Sequence, residues 1–132
     1  MSDTAETWCA KFSAATEADP VIQAMAKYYT CDFLLDMEEL SVLVRMDDGQ
    51  VREIAVNPPP LTPYQFALRA EAETWRRMAE KHPRPFYHGF LAAATHHGLR
   101  IEGDVTVLMQ NLRNFTQQIE LLREVGVPVG EA

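Results

Sequence analysis

The apolar residues of this chain switch repeatedly between a period of 3.6 and a period of 2, and those switches limit the folds open to it. Trp8, Phe12, Ala15 and Thr16 fall at helical spacing, and Asp19-Pro20 stops the run. A second short helix is expected over Val21 to Lys27. Then alternation takes over. Tyr29, Cys31, Phe33 and Leu35 face one side, and Thr30, Asp32, Leu34 and Asp36 face the other. Val42, Val44 and Met46 mark a second strand, and Ile54 and Val56 a third. Asp47-Asp48-Gly49 between them is a hairpin signal. Parity favours a three-residue loop ending in a bulge at Gly49, which sets Ile54 across from Val42 with only Arg52 out of place.

The stretch NPPPLTP, Asn57 to Pro63, holds four of the eight prolines. Neither a helix nor a ladder survives that density, so it reads as a stiff connector carrying the chain to another part of the sheet. Tyr64, Phe66, Leu68 and Ala70 alternate as a fourth strand. Helical spacing returns with Ala72, Trp75, Met78 and Ala79, and His82-Pro83 ends that helix. Phe86, Phe90, Leu91 and Ala94 form the stripe of the next helix, with Pro85 at its start and Gly98 as its C-cap. Leu99 and Ile101 form a short fifth strand, Gly103 turns the chain, and Asp104 is a suitable N-cap. Val105, Leu108, Met109, Leu112, Phe115, Ile119 and Leu122 then predict one long amphipathic helix closed by Gly126. The expected architecture is α+β, a five-stranded, mostly antiparallel mixed sheet covered on one face by helices. Residues 1–126 form the expected domain and 127–132 a tail.

The net charge is −7. It falls on residues 1–68, while residues 69–84 carry +2 and residues 85–132 carry −2. An acidic chain lacks the basic footprint that nucleic acid requires, and no apolar run approaches the length that spans a bilayer. The start, MSDTAETWCAKF, lacks the features of a secretory signal, and two cysteines make no disulfide framework. The expectation is a cytoplasmic protein with reduced thiols.

Motifs for chemistry are absent from the sequence. His82, His88, His96 and His97 do not follow a metal-binding pattern, and His88 and His96 lie roughly 80° apart around a helix. There is no GxSxG elbow and no glycine-rich phosphate loop. Cys31 sits on the inward face of a strand and Cys9 beside Trp8, where thiols behave as small hydrophobes. Glu38-Glu39 and Asp47-Asp48 flank turns, where acids are ordinarily solvated. No catalytic residue, metal or cofactor is therefore assigned.

What remains is apolar. Phe33, Val44, Phe66, Leu68, Trp75, Phe86, Phe90, Met109 and Leu112 fall on inward faces. They either fill a core or stand apart around a cavity for an apolar ligand, and six methionines suit either use. Periodicity does not separate the two.

The segment GLRIEGDVTVLMQNLRNFTQQIELLR, Gly98 to Arg123, is similar to the strand, G-D turn and M-x-x-L helix of the sterol carrier protein 2-like family. The tryptophan helix followed by HPRPFYHGFLAAA resembles the bacterial branch, and ELSVLVRMDDGQVREIAV resembles the family's early hairpin. The resemblance covers roughly Tyr29 to Arg123. Two departures accompany it: the insertion around residues 83–97 is longer than in compact sterol carriers, and the last helix is long and polar-backed and ends in a tail, Gly-Glu-Ala, without a peroxisomal signal. The resemblance implies a hydrophobic tunnel between sheet and helices, and noncatalytic binding or transfer of a fatty acid, acyl-CoA, sterol-like or isoprenoid lipid. The nine apolar residues named above would then line the tunnel, and Arg76, Arg77 and Arg84 would meet an acidic headgroup. Two alternatives stay open. One is an interaction subunit with a filled core, packing on a partner or as a homodimer. The other is a small-molecule enzyme using a pocket histidine.

Overall fold

The computed structural model describes residues 2–129 except 84, 86 and 88, with side chains from residue 5 onward. Two helices open the chain, α1 (Ser2–Ala18) and α2 (Pro20–Ala24), followed by a 3₁₀ turn over Ala26–Tyr28. Asp19 caps α2 by accepting from the amides of Val21 and Ile22. Then come β1 (Cys31–Asp36), β2 (Ser41–Asp47), β3 (Gln50–Val56) and, after the proline connector, β4 (Phe66–Arg69). Helices α3 (Ala72–Met78) and α4 (Phe90–His96) precede β5 (Arg100–Gly103). Three short helices close the chain: α5 (Val105–Gln110), α6 (Leu112–Glu120) and α7 (Leu122–Val125).

The sheet order is β3-β2-β1-β4-β5. β1 and β4 run parallel and the other pairs antiparallel. The expected α+β class and mixed five-stranded sheet are therefore observed. The proline connector makes the parallel pair possible, because it carries the chain from the β3 edge across to the far side of β1.

Alternation divides the sheet into two chemically different faces. Phe33, Leu35, Val42, Val44, Met46, Phe66 and Leu68 point into the main core, where the helices supply Trp8, Phe12, Trp75, Phe90, Leu108, Phe115 and Ile119. The opposite face holds a small apolar strip of Leu34, Leu43 and Ala67 under Tyr64. Ion pairs flank that strip. Arg45 joins Asp32 at 2.9 Å and Glu53 at 3.0 Å, and all three residues lie in one register row. The outer face thus needs no second helical layer.

Three expectations are corrected. The helix expected from Pro85 begins at Phe90, with the extended Gly89 as its N-cap, and Leu91 is 45 % exposed. The hairpin between β2 and β3 has a two-residue loop, with Asp47 paired to Gln50 and both Asp48 (φ 49°) and Gly49 (φ 79°) left-handed. That is the geometry a twisted ribbon prefers. The parity change falls instead within the ladder, where Arg52 is the extra residue between the pairs Arg45–Glu53 and Met46–Val51. Ile54 consequently faces Val44, not Val42. The Cα of Ala26 lies 2.9 Å from where a Cβ on Gly49 would sit, so glycine is required there for space as well as for φ.

The single long helix expected after Asp104 is three helices. Asn111 leaves helical geometry (φ −112°, ψ 15°), and its side-chain amide donates to the Val107 carbonyl at 2.9 Å. An asparagine that bonds its own preceding turn competes with helix propagation. The break changes the buried stripe. Leu108 is buried before it, whereas Asn114, Phe115, Gln118 and Ile119 are buried after it. Gln118 is held at both ends: its Oε1 accepts from the Tyr29 hydroxyl and its Nε2 donates to Thr16 Oγ1 at 3.0 Å. This polar link ties α6 to α1 and to the approach to β1.

Candidate functional site

The site is a crevice between the α3–α4 side of the helical layer and α6–α7. Met78 ends α3, Tyr87 and Gly89 lead into α4, and Phe90 opens it. Thr116, Ile119 and Glu120 of α6 and Arg123 of α7 form the opposite wall. Met78, Phe90 and Ile119 are buried and make an apolar floor. Arg123 lies 3.8 Å from Glu120, which gives the crevice a charged rim. Its volume is about 10 Å³, about the room one water needs and far below the roughly 300 Å³ of a small-molecule pocket.

Behind the floor runs a row of aromatic rings. Phe90 meets Phe115 edge-on at 5.2 Å. Phe115 meets Phe66 at 5.1 Å and Phe33 at 4.9 Å, both edge-on. Phe33 and Phe66 stack at 5.6 Å across the parallel strands. The row leads from the crevice to the sheet without a polar interruption, and its members are at most 1 % exposed.

Phe33, Val44, Phe66, Leu68, Trp75 and Phe90 lie in this one core. Leu112 is half-buried against it. Trp75 is fixed further by its indole N–H, which donates to the Asp36 carbonyl at 2.9 Å. Met109 is 49 % exposed and lies outside the core; the buried position of α5 is Leu108. Phe86 and Arg84 lie outside the described residues. Arg76 and Arg77 both pair with Glu73 on their own helix, Arg77 at 2.7 Å. Neither lines the crevice; Arg123 does.

Among the histidines, His97 stacks on Tyr87 at 3.7 Å, and its Nε2 lies 3.1 Å from the Pro85 carbonyl. It fastens the segment before α4 to the end of that helix. His82 and His96 are exposed, and His88 lies outside the described residues. No group of three metal-ligating side chains occurs among the described residues.

Both thiols are buried. Burial, with help from Asp32, pushes Cys31 up to about 12, and burial followed by Glu6 raises Cys9. Thiols shifted this way are poor nucleophiles at neutral pH. No described helix is long and apolar enough to cross a membrane.

Of the residues that line the crevice, Phe90 alone was a site candidate from the sequence; Met78, Tyr87, Gly89, Thr116, Ile119, Glu120 and Arg123 were not. Thr116 and Glu120 read as the polar back of a continuous helix. Only the turns at Asn111 and Leu121 bring them, with Arg123, to face Met78 and Phe90.

No protein-family model matches the chain, and no curated protein sequence matches it. Solved structures do match. A crystal structure of sterol carrier protein 2 superposes with a TM-score of 0.72 at 15% identity, over 91% of this chain and 96% of that one. A conserved hypothetical protein from Thermus thermophilus, described as a possible sterol carrier protein, gives 0.68 at 16% identity, over 96% of this chain and 90% of that one. A UbiJ-SCP2 ubiquinone synthesis protein gives 0.55 at 12% identity, over 87% of each chain. At these identities the likeness is one of fold, and the chain has the sterol carrier protein 2-like fold.

Proposed function

We propose that this chain binds an apolar ligand noncatalytically: a fatty acid, acyl-CoA, sterol-like or isoprenoid lipid. The observation that carries the reading is the apolar-floored crevice at Met78, Phe90 and Ile119, behind which an uninterrupted row of aromatic rings runs to the sheet. The fold shared with a sterol carrier protein supports it. The hydrocarbon would enter between α4 and α6 and lie along Phe115, Phe66 and Phe33. Trp75, Leu68, Val44 and Leu112 would stand behind them. Each methylene removed from water would contribute about 0.8 kcal/mol toward the cost of moving the helical layer off the sheet. Arg123 at the rim would meet an acidic headgroup, a role the sequence had offered to Arg76, Arg77 and Arg84. The acidic charge of −7 argues against nucleic acid as the partner. A cytoplasmic carrier fits the same reading.

Titration with a fluorescent fatty acid tests this. Saturable uptake is expected in the micromolar range or tighter, together with a rise in melting temperature, since a ligand bound only by the folded state stabilises it. Thr116 is half-buried at the mouth of the crevice. Thr116→Trp is expected to weaken uptake at least tenfold with little change in stability. The close packing of the rings favours a second reading, an interaction subunit whose core stays filled. No saturable uptake, combined with a dimer in gel filtration, would decide for it.

A further inference from the structure

A second depression lies away from the crevice and shares no residue with it. β1 and β4 end side by side here, at Asp36 and Arg69, and Arg100 of β5 is the register partner of Arg69. One row across the sheet therefore reads Asp36, Arg69, Arg100. Two guanidiniums directly opposed repel each other unless carboxylates intervene. Arg69 is fully served: it donates to Asp36 at 2.7 Å, to Glu102 at 2.7 Å and to the Tyr64 hydroxyl at 2.8 Å. Among the described residues, Arg100 has only a longer contact to Glu102, at 3.4 Å, and its side chain is 69 % exposed.

The opposite bank carries acids. The turn after β1 places Glu38 there with a left-handed backbone (φ 72°). Its amide donates to Asp36 at 3.0 Å, and its Oε1 accepts from the Ala72 amide at 3.1 Å. Glu71 stands next to it, exposed, and makes no side-chain bond to the helix it precedes. Ala70 and Gly98 keep the space between the banks open. The depression has a volume of about 330 Å³, within the roughly 300–1,000 Å³ range of small-molecule sites.

The satisfied Asp36–Arg69 pair thus sits between an under-used guanidinium at Arg100 and the carboxylates of Glu38 and Glu71. A lone anion would meet Asp36, Glu38 and Glu71, and a lone cation would meet Arg69 and Arg100. We propose that this depression binds a small soluble zwitterion, its acid group against Arg100 and its ammonium against Glu38 and Glu71. The site does not depend on the apolar-ligand reading.

Amide chemical shifts of the full chain, followed during titration with phosphoethanolamine, test it. Ethanolamine and inorganic phosphate serve as the two halves of the probe. Saturable shifts are expected at Ala70, Glu71, Gly98 and Arg100, with half-saturation at least tenfold below that of either half. Arg100→Glu and Glu71→Lys, both at exposed positions, should each weaken binding at least tenfold without disturbing the rest of the spectrum. No saturable shift, shifts centred elsewhere, equal binding of one half alone, or binding seen only with phosphatidylethanolamine vesicles would overturn the proposal.

Discussion

Replacing Phe115 by alanine is expected to cost about 3–5 kcal/mol of folding stability, the range for truncating a buried aromatic. Phe115 is fully buried and is the hub of the aromatic row, in edge-on contact with Phe33, Phe66 and Phe90. It joins the parallel strands β1 and β4, helix α4, and its own α6. Losing it removes transfer free energy, leaves a cavity beneath the crevice, and forfeits edge-to-face contacts worth about 0.5–1.5 kcal/mol each. Urea denaturation should show a lower midpoint with an unchanged slope, and the melting temperature should fall by about 10–20 °C. Phe115→Leu should recover much of the loss. A change below about 1 kcal/mol would mean that the helical layer does not rest on the sheet through this ring.

The second large effect is alkaline. The Cys31 thiol is pushed from 9.0 up to about 12 by burial and by Asp32, and the fully buried Tyr29 is raised well above 10 by burial and by Cys31. Between pH 9 and 12 the unfolded chain therefore releases the Cys31 proton while the native state keeps it. The native state binds more protons, so stability falls as pH rises, by about 1.4 kcal/mol per pH unit from Cys31 alone. Below pH 9 the contribution is fully present. Tyr29 adds a loss of the same sign above pH 10. Denaturation midpoints collected from about pH 8 to 11 should decline accordingly, and Cys31→Ala should remove about one proton's worth of that slope. A flat profile over that range would show that the Cys31 thiol is hydrated.

The sheet was largely legible because one face is buried and the other is not. Cys31, Phe33 and Leu35 alternate with Asp32 and Asp36, and one residue of slip would have put carboxylates into the core. Local chemistry was legible too. Gly98 and Gly126 take φ 75° at helix ends, and Asp104 accepts from the Val107 amide, as those residue types predict. Parity counting showed that an extra residue must lie between β2 and β3. It did not locate that residue, because a bulge at Arg52 and a longer loop at Gly49 satisfy the same count. The last helix misled for a different reason. Its apolar spacing continues through Asn111, and the phase breaks there, where the side-chain amide bonds the Val107 carbonyl. Gln118 looked like solvent-facing polarity. Its partners, Tyr29 and Thr16, lie about a hundred residues away in sequence, and periodicity carries no information about them. The crevice inherits these difficulties. Phe90 was on an apolar stripe and could be chosen, whereas Thr116 and Arg123 reach the rim only through the helix breaks.

The most direct measurement is a native mass spectrum of the protein purified from cells and sprayed without organic solvent. A population heavier than the 15.0 kDa chain by a discrete apolar ligand is expected. That ligand should be released by solvent and exchanged by added fatty acid, and Thr116→Trp should reduce the population. A spectrum holding only the bare chain, unchanged after incubation with fatty acid, would contradict it and leave the aromatic row as a filled core.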